Sequence, residues 1–328
     1  MNTATRQDYT RPAPGPRRDP SQLGTDWRTG LQVPPIESPF LEDLLASSGL
    51  TEELKQGIRA LNRDGYAVLD LKIPDFAERA ARIDADLSGK YGKERRVAEA
   101  WYWNEDVRYF ACLPQVVELL RLAYQRDVIP FQTLNFEVGT EQPAHSDTIH
   151  FHSLPRHWMC GVWIALEDVS ADSGPLVVYP GSHVIPDYEM HDLGVPSEPA
   201  FYPQYEQFMA ALLKARGFKP RYLTMKAGQA AVWLANLVHG GSHRNNPNLT
   251  RKSQVTHYYF EGCQWFFPMQ SDLAAGRITR REVIDLRNGQ WIHHMHDGHE
   301  VELGDLSKVC TYPRPLPEWV KGAPRPRG

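Results

Sequence analysis

The chain has 328 residues, of which 41% are hydrophobic, including nine Trp, fourteen Tyr and twelve Phe, so it can bury a sizeable core. A formal net charge of −4 and a pI near 6.4 give no reason to expect a nucleic-acid partner. The mean hydropathy is −0.49, and the sequence contains neither an apolar signal-like segment at its start nor an apolar run long enough to cross a bilayer. These features predict a cytoplasmic protein without a membrane partner, and they carry no signal for its oligomeric state.

The four cysteines are not arranged as a C-x-x-C pair or as a regular ladder of spacings, and they are Cys112, Cys160, Cys263 and Cys310. Such cysteines are typical of reduced, buried thiols in a reducing compartment.

Helical and extended patterns begin after a polar N-terminal region. Residues 1–36 are rich in Pro, Arg and Gly and lack a hydrophobic period, which predicts a flexible tail ahead of a single domain over 37–328. Thr51 is a suitable N-cap for a helix whose apolar residues recur at helical spacing. The segment YAVLDL (66–71) predicts a strand, and two more helices are expected near 76–87 and 116–123.

Short apolar or alternating runs separated by Gly, Pro and Asn fill residues 130–262, and this texture predicts a β-sandwich or barrel core. Residues 186–220 interrupt it with apolar residues at helical spacing, which indicates an inserted helical element. In the C-terminal extension, 263–328, Asn288-Gly289 predicts a hairpin. The predicted fold class is therefore mainly β with flanking helices (α+β).

The segment PAHSDTIHFHSLPRH (143–157) carries four histidines and an aspartate. Side chains two apart on a strand project to the same face, so His145 and Asp147 are expected to point together. A His-x-Asp pair with one distant histidine forms the facial triad of non-haem Fe(II) oxygenases. The pair alone is a weak signal, since it arises by chance in many chains.

A second segment, GQAAVWLANLVHGGSHRNNPNLTRKS (228–253), supports the metal interpretation. An apolar run ends at His239, and Arg251 begins the next run after a polar loop. If the two runs pair as a hairpin, Arg251 returns close to His239 and offers its planar donor fork to the remote carboxylate of a metal-chelating 2-oxo acid. Ser253, on the same strand face, is expected to add a hydroxyl to the same oxygens.

The blocks HSD (145–147), GVWIALEDVSADSGPLVVYPGSH (161–183) and the 228–253 segment, in this order, resemble the phytanoyl-CoA dioxygenase family of Fe(II)/2-oxoglutarate-dependent oxygenases. The resemblance covers roughly residues 60–262. It implies a double-stranded β-helix (jelly-roll, cupin-like) core and the use of Fe(II), 2-oxoglutarate and O2. The matching iron ligands are His145, Asp147 and His239, and the matching arginine for the 2-oxoglutarate C5 carboxylate is Arg251.

The same resemblance implies that Trp163 lines the cosubstrate pocket and that a polar residue on the strand before His145 contacts 2-oxoglutarate. Gln132 is the first choice for that polar residue and Asn135 the alternative. The loop from His239 to Arg251 is about one residue longer than the common family spacing.

The remaining histidines have weaker patterns. His150 and His152 follow the turn-prone SDT segment, and we expect them to be ordinary loop histidines or, second, substrate contacts. His157 is expected to be structural or exposed, whereas His243 lies inside a loop and His257 in mid-strand, so His239 is favoured over both as the distal ligand. The HHMHDGHE stretch (293–300) has no diagnostic metal spacing, and a solvated loop is favoured there.

The sequence thus predicts an enzyme that hydroxylates an unactivated C–H bond of a small polar molecule, carbohydrate-like or a specialised metabolite, with release of succinate and CO2. In halogenases related to the family that this sequence resembles, a small residue takes the place of this carboxylate. Asp147 therefore favours hydroxylation, or desaturation or ring chemistry, which use the same triad. Two other classes stay open, namely a Zn(II)-dependent hydrolase using the same three ligands and a non-catalytic β-barrel binding protein.

Overall fold

The computed structural model describes residues 32–93, 95–296, 298–301, 308–309, 312 and 315–320. Most of the expected tail (1–36) lies outside the described residues, as does Cys310. Ile36, at the end of that range, is the middle residue of a 3-10 turn over Pro35–Glu37 and is fully buried in the largest hydrophobic cluster. The packed chain therefore begins before the expected domain boundary at residue 37.

The helices of the described residues lie mostly ahead of the β core. The three predicted helices near 51, 76 and 116 are present, and the first begins as expected, with the Leu54 backbone N–H donating to Thr51 Oγ1 at 3.4 Å. None of the described helices is long and apolar enough to span a membrane. The α-helices are α1 (Leu41–Ser47), α2 (Glu52–Asp64), α3 (Phe76–Leu87), α4 (Glu105–Ala111), α5 (Pro114–Tyr124) and α6 (Tyr202–Arg216).

The strands alternate between two facing sheets through the centre of the chain. They are β1 (Tyr66–Asp70), β2 (Arg96–Ala98), β3 (Val128–Phe136), β4 (His145–Ser146), β5 (His152–Leu154), β6 (Met159–Ala165), β7 (Leu176–Val178), β8 (Arg221–Leu223), β9 (Gln229–Leu234), β10 (Val238–Gly241), β11 (Ser253–Phe260), β12 (Gln264–Phe266), β13 (Arg280–Arg281), β14 (Val283–Asp285), β15 (Gln290–Ile292), β16 (Met295–His296), β17 (His299–Glu300) and β18 (Lys308–Val309).

The major sheet has the order β1-β9-β6-β11-β3-β2 and the minor sheet the order β4-β10-β7-β8, with antiparallel pairing throughout both. Along the chain, β3, β6, β9 and β11 enter the major sheet, while β4, β7, β8 and β10 enter the minor one. This alternation is the double-stranded β-helix, and it confirms the predicted fold class of a mainly β protein with flanking helices.

Both faces of the major sheet are covered. Every residue of β6 and β11 is buried, because a cluster that includes residues of the N-terminal helices packs on one face and a second cluster, containing Trp163, Val178 and Trp233, fills the space toward the minor sheet. Strands buried on both faces read as continuous apolar runs rather than alternating ones. Residues of both sheets line a cavity in this inner space.

The hairpin expected between the runs at 228–239 and 253–260 does not form. The first run is divided at residues 235–237 into β9, in the major sheet, and β10, in the minor sheet. Strand β10 pairs with β4 and β7, whereas β11 pairs with β3 and β6. His239 and Arg251 therefore approach one another from facing sheets rather than from paired strands.

The interruption at 186–220 contains α6 and short 3-10 turns at Met190–Leu193 and Pro199–Phe201. Helix α6 buries Tyr205, Met209 and Leu213 in a cluster of its own, together with Ile149 and Val238. The insertion is thereby packed directly behind the strands that carry His145 and His239. The predicted hairpin at Asn288-Gly289 is formed by β14 and β15, with Gly289 at φ 74°.

Candidate metal centre and its cavity

His145 and His239 lie opposite one another on paired strands. They are register partners between β4 and β10, and their ring centres are 4.6 Å apart. Asp147 begins the 3-10 turn that follows β4, so the carboxylate is delivered by a turn rather than by an extended strand. Its Oδ1 lies 3.8 Å from Nε2 of each histidine.

The three side chains are buried and can surround one metal ion. Their candidate ligand atoms lie within 4.8 Å of one another, and each residue is at most 5% exposed. Two imidazoles and one carboxylate on one side of an ion match the donor set of non-haem Fe(II) sites. The ligand types and the distances therefore fit such an ion.

Backbone carbonyls fix the orientation of both imidazoles. Nδ1 of His145 donates to the Pro143 carbonyl at 2.8 Å, and Nδ1 of His239 donates to the Leu237 carbonyl at 3.0 Å. A carbonyl only accepts, so Nδ1 carries the proton and Nε2 keeps the lone pair that faces Asp147. Burial lowers the pKa of each histidine to about 4, and the proximity of His239 adds to the effect on His145. Both rings are neutral at pH 7, the form that binds metals.

Trp233 orients the carboxylate, a role that the sequence reasoning missed. Its indole Nε1 donates to Asp147 Oδ2 at 2.7 Å, which leaves Oδ1 facing the two histidines. The indole lies against Gly161, its register partner on β6, so closely that a Cβ at residue 161 would overlap the ring. A buried tryptophan with a polar neighbour is a recognisable signal, but nothing local in the sequence links residue 233 to residue 147.

Arg251 is a buried cation without a carboxylate partner among the described residues. It is 4% exposed, its guanidinium carbon lies 5.3 Å from the centre of the Trp163 ring, and its Nη1 donates to Ser253 Oγ at 3.5 Å. Burial lowers its pKa to about 10, against the opposing effect of Glu167, so it remains charged at pH 7. A buried unpaired guanidinium is costly unless an anion binds to it.

A cavity of about 780 Å³ joins these groups. The triad, Arg251, Trp163 and Gln132 all line it. Gln132 bridges two neighbours, with its amide Nε2 donating to Glu99 and its Oε1 lying 3.1 Å from His257 Nδ1. Asn135 and Ser253 are buried but do not line the cavity, and Asn135 is hydrogen-bonded to Gln254 instead.

His150 and His152, for which substrate contact was the second expectation, lie in different environments. His150 lines the cavity, where its Nε2 lies 3.1 Å from the hydroxyl of Tyr202 on α6, and burial lowers its pKa to about 3. His152 contributes no atom to the cavity wall. Its ring is turned toward Asp187, at 3.5 Å, and toward Glu189, which contradicts the expectation that it contacts substrate.

His157 is structural, in agreement with expectation. It lies between Glu37 and Asp187, with 2.7 Å between a ring nitrogen and a carboxylate oxygen on each side. Burial alone would lower its pKa, but the hydrogen bonds to the two carboxylates outweigh that effect and raise it to about 10. His152, His157 and Asp187 form a second group close enough to share a metal ion, although His157 and Asp187 already pair with each other.

His257, set aside as the distal ligand, nevertheless belongs to the site. It lines the cavity from the middle of β11, and its Nε2 lies 3.7 Å from Asp147 Oδ2, whereas Oδ1 of the same carboxylate faces His145 and His239. His243 is exposed and pairs with Glu141 at 3.0 Å. The described part of the 293–300 stretch forms the β16–β17 hairpin and supplies no residue to either potential metal group.

The family model for phytanoyl-CoA dioxygenase (PhyH) matches residues 40–253, about two thirds of the chain. The chain belongs to this family. The match confirms the resemblance drawn from the three sequence blocks, and it includes the triad, Trp163 and Arg251. The residues matched by the family model thus include the core of the site but end before His257 and the C-terminal part of the cavity wall.

Curated relatives in the same family are distant. The peroxisomal phytanoyl-CoA dioxygenase of Rattus norvegicus is 25% identical over 198 residues, which is 56% of this chain and 54% of the relative. The Homo sapiens enzyme of the same name is 23% identical over 185 residues, 52% of each chain. The chain spans about half the length of the curated relatives it matches.

Solved structures share the fold. The non-haem α-ketoglutarate-dependent epimerase SnoN from nogalamycin biosynthesis matches with a TM-score of 0.51 at 18% identity, covering 65% of this chain and 85% of that one. A second SnoN structure, in complex with Fe3+, α-ketoglutarate and nogalamycin RO, also gives 0.51 at 18% identity, with 78% and 98% coverage. The carbocyclase SnoK gives 0.51 at 16% identity, covering 66% and 87%. At these levels of sequence identity, the matches show that the folds are alike and nothing more.

Proposed function

We propose that this member of the PhyH family is an Fe(II)- and 2-oxoglutarate-dependent oxygenase that hydroxylates a C–H bond of a small polar molecule, releasing succinate and CO2. One observation carries the proposal: two neutral histidines and a carboxylate converge at one end of a cavity in which a buried, unpaired arginine also lies. This arrangement suits a ligand that chelates a metal at one end and carries a carboxylate at the other.

In this proposal, His145, Asp147 and His239 hold the iron, and their backbone and Trp233 hydrogen bonds keep the three donors oriented. When bound there, Fe(II) supplies the open coordination positions at which a 2-oxo acid and O2 react. The protein contributes the burial that excludes water and the fixed direction from which a substrate reaches the metal.

Arg251 binds the remote carboxylate of 2-oxoglutarate, because its guanidinium is charged and buried and has no ion-pair partner among the described residues. Ser253 holds that guanidinium through its hydroxyl, and Trp163 covers it with a ring face. Gln132 contacts the cosubstrate in this proposal, and its two hydrogen bonds fix the amide against the cavity wall.

The substrate enters past the insertion. His150 and Tyr202 place polar atoms on the wall formed by α6, and Glu206 lies on the same wall. These groups suit a small polar substrate. A cytoplasmic location is part of the proposal and agrees with the free thiols of Cys112, Cys160 and Cys263.

The test is anaerobic addition of Fe(II) and 2-oxoglutarate to the full chain, followed by aerobic measurement of succinate release with a panel of small polar molecules. We expect a weak visible charge-transfer band that is lost in Asp147→Ala and kept in the matched control His243→Ala. A zinc hydrolase would give no such band and would leave Arg251 without a role. Absence of the band in the wild-type protein would refute the oxygenase.

A further inference from the structure

A second arginine, Arg281 on β13, lines the same cavity from outside the region matched by the family model. The residue is 0% exposed. None of its three guanidinium nitrogens has a hydrogen-bond partner among the described residues. Because a guanidinium has five N–H donors, this is a large unsatisfied capacity in a buried position.

Aromatic rings rather than acceptors surround the guanidinium. Its carbon lies 4.8 Å from the ring centre of Phe131, 5.2 Å from Phe151, 5.3 Å from Phe267 and 6.0 Å from Tyr312. Ring faces attract a cation, but they do not replace the hydrogen bonds that its in-plane N–H groups lose on leaving water.

The nearby carboxylate of Glu99 does not meet this need. Its Oε1 is 3.9 Å from Arg281 Nη2, which is longer than a hydrogen bond. Glu99 already accepts from the Trp101 indole, from the Thr133 backbone N–H at 3.3 Å and from Gln132 Nε2 at 3.3 Å. Burial raises the pKa of Glu99, although Arg281 opposes that shift. The carboxylate is thus occupied by other donors.

The two buried arginines of the cavity have different surroundings. Arg251 lies beside Trp163 and Phe136. Arg281 lies beside Phe151, whose ring centre is 4.8 Å from that of His257, and His257 in turn faces Asp147. If 2-oxoglutarate binds Arg251, the N–H donors of Arg281 still lack hydrogen-bond acceptors among the described residues, and a second anion would supply them.

We propose that Arg281 binds a carboxylate of the prime substrate, so that the substrate is a small organic acid whose adjoining apolar part contacts Phe151 and Phe267. This rests on the oxygenase function proposed above. A carboxylate is favoured over a phosphate because it brings one negative charge rather than two into a buried site that already contains the carboxyl group of Glu99. The planar carboxylate also matches the donor fork of arginine.

The experiment uses the full chain with Fe(II) and saturating 2-oxoglutarate under anaerobic conditions, so that Arg251 is already occupied. Sodium acetate, inorganic phosphate and sodium chloride are compared at equal ionic strength, with acetamide as the neutral analogue of acetate. The midpoint of thermal unfolding reports binding, because a ligand of the native state raises it. We expect acetate to raise Tm by about 2 °C above chloride, and acetamide to have no such effect.

Arg281→Gln should abolish the acetate shift and Arg281→Lys should retain part of it. Arg280→Gln is the matched control, because the neighbouring arginine donates to Gln264 and does not line the cavity. Equal shifts with acetate and chloride in the wild-type protein would overturn the proposal, and this outcome does not depend on whether the variants fold. A larger shift with phosphate would overturn the carboxylate assignment.

The charge-transfer band of the same samples separates the two proposals. A band without an acetate-specific shift refutes the role of Arg281 and leaves the oxygenase intact. An acetate-specific shift without a band refutes the oxygenase, and with it the assignment of the anion to a prime substrate.

Discussion

Hydrogen bonds to the three proposed ligands are expected to determine how well these residues hold a metal. The Trp233 indole donates to the Asp147 oxygen that faces away from the two histidines. Without that donor, the carboxylate is free to rotate, and both oxygens compete for the ion. Partners of this kind commonly change metal affinity by about 10- to 100-fold.

Trp233→Phe is therefore expected to weaken Fe(II) or Co(II) binding by about 10-fold or more while it keeps an aromatic ring in the core. Metal titration measures the affinity, and urea unfolding of the metal-free protein measures the stability. Trp265→Phe is the matched control, because Trp265 is also fully buried but does not line the cavity. Equal metal affinity in Trp233→Phe and the wild-type protein would show that Asp147 is held by other means.

Gly161 is expected to tolerate no side chain, because Trp233 occupies the space where a Cβ would be. Gly161→Ala should cost about 1–3 kcal/mol of unfolding free energy and should also weaken metal binding by displacing the indole. Gly57→Ala is the control, since a Cβ there meets nothing within 4 Å and the residue lies inside α2, where alanine is favoured by up to about 1 kcal/mol. Urea unfolding compares the two variants. Similar effects on stability in both would contradict the close-contact explanation.

At the scale of elements, sequence patterns predicted where helices and strands occur better than they predicted which strands pair with one another. The helices at α2, α3 and α5, the strand β1 and the β14–β15 hairpin follow from local periodicity and turn residues. The division of residues 228–239 between two sheets does not follow from such signals. The run from Ala230 to Val238 is mostly apolar and buried on both sides of the bend, and the bend at 235–237 contains neither Gly nor Pro. The expected hairpin therefore failed, although His239 and Arg251 still reach one cavity.

The same limit explains the misplaced His152. Its neighbours Asp187 and Glu189 lie more than 30 residues further along the chain, so its environment depends on how the insertion folds back. His257 was underestimated for a related reason. It lies in the middle of a strand, and its place in the site depends on the cavity that it lines and on the close approach of Asp147 from the turn after β4.

The His157 ion pairs connect three separate segments, namely the first 3-10 turn, the loop before β6 and the start of the insertion. The pKa of His157 is about 10 in the folded protein and about 6.5 in an unfolded chain, so protonation favours folding. The stabilisation is fully present below about pH 6.5 and is lost as the pH rises through 10. The pKa of Asp187 is lowered to about 2, although burial alone would raise it. Its ionised form therefore stabilises the folded protein above about pH 3.8, and this stabilisation is lost as the pH falls through 2.

His157→Gln is thus expected to destabilise the protein on the order of 2 kcal/mol more at pH 6 than at pH 10.5. Urea unfolding at the two pH values, with EDTA present to remove any ion from this group, measures the difference. His243→Gln is the control, because that histidine is exposed and pairs with a single carboxylate, that of Glu141, at the surface. A destabilisation of the same size at both pH values would rule out the ionic origin.

For the whole molecule, the C-terminal extension packs into the same hydrophobic core as the N-terminal helices. The family model ends at residue 253, yet Ile284 and Leu286 are fully buried in the same cluster as the N-terminal helices. Arg281 and Phe267, from this extension, complete the cavity wall. The triad could be proposed from the sequence blocks that resemble the family. The other residues of the cavity wall could not be predicted, because their positions depend on this long-range packing.

The domain is consequently expected to unfold as one unit, with the extension and the metal centre lost together. Ile284→Ala should lower the unfolding free energy by about 2–5 kcal/mol, because it leaves a cavity in a fully buried position. Val184→Ala is the matched control, since Val184 is 71% exposed. Far-UV circular dichroism and loss of bound Co(II) should then show coincident midpoints in urea, both shifted by Ile284→Ala. If the Co(II) signal kept its midpoint while part of the circular dichroism signal shifted, the extension would be an independent unit, and the cavity wall containing Arg281 would be able to open without loss of the centre.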